Sequence, residues 1–322
     1  MNVPTEKLLP VQPAHKLPVR TEAQRWLVTG LWLEQAVGML GGEPKCCKSF
    51  LALDLAVAVA SGTACLRQFP VPTSGRVLLY AAEDALHIVR RCLEGICAAA
   101  QVSFEDLDVQ VITAPTVRLD LPADRERLER TVEALKPRLL VLDPFVRLHR
   151  IDENASGEVA PLLAYLRELQ RRHAISVLVV HHAKKGGARI RAGQALRGSS
   201  ELHAWGDSNL YLRRTENQLT LTVEHRAAPS LPPIDLELTQ RGESLALEIR
   251  ASAQPTPEPP APTSVDERII NALNDADHPL SAAELRARCS VRKATFYARL
   301  EDLTRAGRLL HSPEGYRLAQ TL

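Results

Sequence analysis

The sequence predicts an α/β fold: a mostly parallel sheet covered by helices on both faces, an antiparallel extension of that sheet, and a second, smaller domain of three helices and a hairpin. Three observations carry this reading. Up to about residue 208, apolar runs of strand length alternate with helical spacing, the pattern of strand–helix–strand units. After residue 208, strand-like runs follow one another directly. The stretch 251–263 (ASAQPTPEPPAPT) is proline-rich and nearly free of aliphatic side chains, so it reads as an extended linker between two folding units.

The elements follow in order. Residues 1–24 carry Pro4, Pro10, Pro13 and Pro18 with little periodicity and read as an extended arm. The first domain spans 25–250. Its apolar runs 77–82, 109–113, 139–142 and 176–180 have strand length, and 50–60, 85–99, 124–135 and 157–173 have helical spacing. The runs 209–212, 219–224, 234–238 and 245–249 then predict consecutive antiparallel strands.

Residues 264–322 form the second domain. Ser264 with Glu267, and Ser281 with Glu284, are two capping boxes, each opening a short amphipathic helix. A third helix over 292–306 places Phe296, Leu300 and Leu303 on one face and stops at Gly307. Strands at 308–311 and 316–319 around a Ser-Pro-Glu-Gly turn complete the layout of a winged helix.

The chemistry starts at Gly42-Glu43-Pro44-Lys45-Cys46-Cys47-Lys48-Ser49, ahead of Phe50 and the first helical run. A glycine, four residues, a small position and Lys-Ser between strand and helix have the spacing of a P-loop, whose backbone N–H groups face a polyphosphate. Lys48 is expected at the β and γ phosphates of ATP and Ser49 at a magnesium ion. Cys47 departs from the pattern: it stands where a second glycine is usual and where positive φ is often needed, at a cost of about 1–2 kcal/mol.

Ligands in such sheets bind at the carboxyl ends of the strands. Asp143, ending LLVLD, is expected to hold the metal. Glu83, after the strand RVLLYAA, is expected to polarise the attacking water, with Asp84 beside it as substitute or orienting group. His181-His182 ends another strand, and His182 is expected to sense the γ phosphate. Residues 184–197 contain Lys184, Lys185, Arg189, Arg191 and Arg197, three glycines and no acid, a composition suited to gripping a phosphate backbone without reading its sequence.

The six cysteines form no C-x-x-C pair, which favours reduced thiols over a disulfide or zinc framework. There is no signal pattern and no apolar run of about 18 residues, so a cytoplasmic protein without membrane contact is expected. A net charge of +2 on 322 residues selects no partner.

Taken together in this order, GEPKCCKS, AAED, LLVLDPF, VVHHAKKG and RGSSELHAWGDS resemble the RecA-like P-loop ATPases, and within them the RepA-type replicative helicases of plasmids and mobile elements, over residues 26–249. The resemblance implies ATP and Mg2+ as ligands, homo-oligomeric rings commonly of six subunits, and single-stranded DNA in a central channel facing the loop 184–197. It also implies an arginine acting in trans, matched here by Arg226 in LTLTVEHRAAP, two residues after Glu224, which stands where many relatives carry lysine. The family does not dictate the winged helix. There Arg292, Lys293 and Arg299 are placed for double-stranded DNA, with Arg308 and Arg317 on the wing, although nine basic against eight acidic residues leave 265–322 nearly neutral.

Overall fold

The computed structural model describes residues 9, 11–182, 200–215, 218–241, 244–250, 264–276, 278–289 and 293–319. The expected linker 251–263 lies outside them. The chain forms two compact units, Met1–Ala251 and Ser252–Leu322.

The first unit is built on a nine-stranded sheet. Its parallel part comprises β3 (Val37–Gly42), β4 (Val77–Ala81), β5 (Val109–Val111), β6 (Leu139–Asp143), β7 (Ser176–His182) and β8 (Ser208–Arg214). The strands β9 (Leu219–His225), β10 (Ile234–Arg241) and β11 (Ser244–Ile249) continue it as an antiparallel meander. The spatial order is β11-β10-β9-β8-β3-β7-β6-β4-β5. A two-stranded ribbon, β1 (Trp26–Val28) with β2 (Trp32–Leu33), precedes the sheet; the sequence reading had no strands there.

Helices α1 (Lys48–Ser61), α2 (Leu86–Ala100), α3 (Pro122–Leu135), α4 (Ser156–His173) and the short α5 (Ser200–Trp205) cover the faces. Strand side chains point alternately to opposite faces, and here both faces are apolar. Leu40, Leu79, Val141 and Leu178 enter a core with α1, α2, Trp26 and Trp32. Met39, Leu78, Leu140 and Val179 enter a second core with Leu162, Leu166 and Leu202 of α4 and α5. Near-continuous apolar strands are what a sheet buried on both sides requires. Helix α1 is apolar nearly all round because β11 and α2 also pack on it. Gly62, at φ 79°, ends α1 in a left-handed turn.

Between β3 and β8 the backbones approach closely. A methyl group at Gly38 would sit 1.6 Å from the Ser208 carbonyl oxygen, and one at Gly42 would sit 2.4 Å from that of Leu212. Glycine at both positions is a packing requirement of this seam.

In the second unit, α6 (Val265–Asn274), α7 (Ala282–Cys289) and α8 (Lys293–Arg305) precede a hairpin of β12 (Leu309–Ser312) and β13 (Gly315–Leu318). Both capping boxes form: Ser264 accepts from the Glu267 N–H at 3.1 Å while Glu267 accepts from the Ser264 N–H at 3.1 Å, and Ser281 and Glu284 pair likewise at 3.3 and 3.0 Å. Ile269, Leu285, Phe296, Leu300, Leu303 and Leu309 close a core of their own. Leu280 bridges to Tyr316 and adds a third edge to the hairpin.

Candidate nucleotide site

Five adjacent strands end on one edge of the sheet, and the polar residues singled out above stand at those ends. Gly42 on β3 is opposite His182 on β7 and opposite Leu212 on β8, while Ala81 on β4 is opposite Asp143 on β6. The register therefore sets the loop after Gly42 beside His182, and sets Glu83, two residues past Ala81, beside Asp143.

The loop 43–47 turns twice through the left-handed region, at Lys45 (φ 63°) and at Cys47 (φ 65°, ψ 26°). Alternation of this kind folds successive N–H groups into a concave nest that suits an anion, and α1 starts immediately behind it with its positive dipole end. Cys47 thus holds the glycine-like backbone expected at its position. Its Sγ accepts from the Arg214 guanidinium at 3.1 Å. Cys46 points the other way, into the core, where burial raises its thiol above the usual range.

Lys48 is buried, and its Nζ donates to the carbonyls of Gly42 at 3.1 Å and Glu43 at 2.8 Å. An ammonium folded back on its own loop's carbonyls is a charge stored where the polyphosphate is expected. Asp143 lies behind it. Burial, with Asp84 and Glu83 nearby, pushes its carboxyl up to about 6, against a hydrogen bond from Ser49 and the charge of Lys48. A hydroxyl and a buried carboxylate already in contact, crowded by two further acids, form an oxygen donor set that lacks positive charge. That composition fits magnesium.

Glu83 is hydrogen-bonded by Arg147 Nε at 2.8 Å, and Arg147 lies on the short 3-10 turn Phe145–Arg147 after Asp143. His182 is partly buried. Burial foremost and then Lys48 hold its imidazole below the ordinary range, opposed by Glu83, so it is neutral at pH 7. His181 is buried, edge-on to Phe145 with ring centroids 5.9 Å apart.

Arg226 lies elsewhere. β9 runs antiparallel, so Arg226 follows His225, which is opposite Ser208 at the start of β8. Residue 207 to residue 212 of β8 spans about 17 Å at strand rise, which puts Arg226 at the opposite edge from its own cradle. It contacts Asp207 at 3.5 Å and donates to the Ala204 carbonyl.

Lys184, Lys185, Arg189, Arg191, Arg197 and Arg292 lie outside the described residues. Lys293 opens α8. Arg299, expected at a phosphate, has its guanidinium engaged by Asp266, at 2.8 Å from Nε, and by Asp302 at 3.3 Å, because α6 sets an acid against it.

Two residues at the site escaped the sequence reading. Arg147 is 64 positions from Glu83, and Arg214 is 167 from Cys47. For Arg214 a signal existed: an Arg-Arg pair closing a parallel strand stands where ligands bind in such sheets.

Comparison with known proteins gives the following. A family described as "AAA domain" matches residues 2–188. Among solved structures, the chain is similar to an isolated ATPase domain, at 13% identity and a TM-score of 0.50, over 66% of this chain and 85% of that one. It also matches the RadB recombinase at 18% identity and a TM-score of 0.48, over 67% and 90% respectively. The first likeness agrees with a mostly parallel α/β sheet of RecA type. Among the described residues no helix is long and apolar enough to cross a membrane.

Proposed function

Since the chain belongs to the AAA domain family, we propose that it is a P-loop ATPase that works on DNA as one subunit of a cytoplasmic homo-oligomeric ring, a helicase or translocase serving replication of a plasmid, phage or mobile element. The observation that carries the proposal is the convergence of Lys48, the Ser49–Asp143 pair, Glu83 and His182 at the ends of neighbouring strands.

In this reading the amides of residues 43–48 hold the β and γ phosphates and the Lys48 ammonium turns from its carbonyls to them. Ser49 and Asp143 hold Mg2+, which neutralises charge on the phosphates when bound. Glu83 leaves Arg147 to take a proton from the attacking water. His182, neutral and next to the cradle in register, senses whether the γ phosphate is present and passes that state to the segment 184–197, which follows it in the chain. That segment, with Lys184, Lys185, Arg189, Arg191 and Arg197, is the single-strand contact. Arg226 stabilises developing charge on the phosphates of an adjacent subunit. Its separation from the cradle of its own chain supports action between subunits, and a hexamer is the assembly proposed.

The C-terminal unit is proposed as a winged helix, joined by the linker 251–263. Arg292 and Lys293 at the start of its third helix are its DNA contacts, and Arg299, already paired, contributes least. A second reading is an ATP-gated DNA-binding regulator that does not unwind. It is favoured by the side chain at position 47, where strain opposes fast turnover.

The test is DNA-stimulated hydrolysis by Lys48→Ala, Glu83→Gln and Arg226→Ala variants, with light scattering to size the assembly with an ATP analogue and single-stranded DNA. The proposal expects each variant to lose most turnover and the parent to form a ring. Unchanged rates in all three would end it. Strand displacement separates the two readings, because the regulator binds DNA with ATP and displaces nothing.

A further inference from the structure

We infer that Asp207 and the C-terminal end of α5 are the resting seat of Arg226, and that Asp207 is a positioning residue holding this arginine until it is handed to a neighbouring subunit. The inference rests on the inter-subunit role proposed for Arg226 above.

Asp207 occupies the turn between α5 and β8. Its N–H donates to the Val37 carbonyl at 2.7 Å and its carboxylate accepts from the Val37 N–H at 3.2 Å, so the start of β3 fixes it in place. Two guanidiniums converge on that carboxylate: Arg167 from α4, with one contact at 3.1 Å, and Arg226 at 3.5 Å. The same two arginines cap α5, Arg167 donating to the Trp205 carbonyl at 2.6 Å and Arg226 to that of Ala204. The last carbonyls of a helix lack intrahelical partners and form the negative end of its dipole, so cations settle there. A second clasp lies alongside, with His203 Nε2 of α5 3.0 Å from Glu224 Oε2 of β9.

The two arginines are not equivalent. Arg167 is 19% exposed, grips Asp207 with both terminal nitrogens and stacks near Trp205, which makes it the permanent cap. Arg226 is 55% exposed and makes the longer contact with Asp207. Its departure leaves the carboxylate and the last helical carbonyl still served by Arg167. A contact this exposed biases an equilibrium by only about two- to fivefold, enough to hold an idle arginine and little enough to release it. Glu224 completes the device. Where a lysine would repel Arg226 and leave His203 without a carboxylate, the acid ties β9 to α5. Helix α5 continues in the chain from the basic segment 184–197, so nucleic acid held by that segment and the seat of Arg226 act on one helix.

The experiment is steady-state ATP hydrolysis by the full chain, with and without a single-stranded oligonucleotide, for Asp207→Asn, Glu224→Gln, Arg226→Ala and the double variant Asp207→Asn/Arg226→Ala. The expected result is a DNA-free rate raised about two- to fivefold in each of the first two, a smaller stimulation by DNA, and a double variant that behaves as Arg226→Ala. A merely structural Asp207 would lower both rates in proportion and leave their ratio alone; that result, or an unmoved ratio in both Asp207→Asn and Glu224→Gln, overturns the seat. Arg226→Ala separates the two levels. If it hydrolyses like the parent with DNA present, the inter-subunit role falls and the seat with it. If it loses stimulation while the other ratios stay put, only the seat falls.

Discussion

At the scale of single residues, the phosphate loop holds a side chain where the backbone favours none. Cys47 sits at φ 65°, and the left-handed region costs a non-glycine residue about 1–2 kcal/mol. Glycine would remove that strain but gives back about 0.4–1 kcal/mol through a freer unfolded chain. Cys47→Gly is therefore expected to gain about 0.5–1 kcal/mol of stability, read as a higher melting temperature, with faster turnover. Cys47→Val should melt earlier than the parent, since a β-branched residue is least tolerant of this region. Asp143 gives a pH dependence. Its carboxyl is raised to about 6 in the fold, above the ordinary 3.8. The folded state thus binds the proton more tightly than the unfolded one, so the nucleotide-free protein loses stability as pH rises through this window from about 4 to about 6. Metal binding needs the carboxylate. Calorimetry should find Mg-ATP affinity flat above about pH 6 and falling up to about tenfold per unit below it, a fall that Asp143→Asn abolishes along with most of the affinity.

At the scale of elements, helices were legible where local chemistry marks their ends. Ser264 and Ser281, each with an acid three residues on, foretold α6 and α7, and both reciprocal bonds are present. Ser264→Ala should cost about 1 kcal/mol, seen as earlier melting of the second unit in a calorimetric scan of the full chain, with ATP turnover unaffected. The parallel strands were legible because two buried faces demand unbroken apolar runs. The ribbon β1–β2 was not: Trp32–Leu33 is only two residues long and its partner only three, too short for any period to register. Pairings at the site were equally hidden. The strand-end rule put Glu83 and Asp143 at the same edge, yet nothing local in the chain ties Arg147 to Glu83 or Arg214 to Cys47. Those contacts exist because a crossover returns distant strands to adjacent places in the sheet. Arg299 is the counterexample: its exposed position on α8 suggested a phosphate, but α6 brings Asp266 to it.

At the scale of the whole molecule, two units with separate cores imply separable activities. A chain ending at residue 251 is expected to bind Mg-ATP with parental affinity in calorimetry, since the cradle, Asp143, Glu83 and His182 all belong to the first unit. A large loss of affinity on truncation would count against that independence. The seam between β3 and β8 carries a further consequence. Positions 38, 42 and 47 sit near one another in the chain, but at the first two an added methyl meets a carbonyl of the adjoining strand, while at the third it faces Arg214 at the surface. Evolutionary drift here is governed by depth in the seam and not by nearness to nucleotide. A saturation library would go dark at 38 and 42 and stay lit at 47, and a lineage that has already exchanged one glycine of its loop for cysteine has no such freedom with the other two.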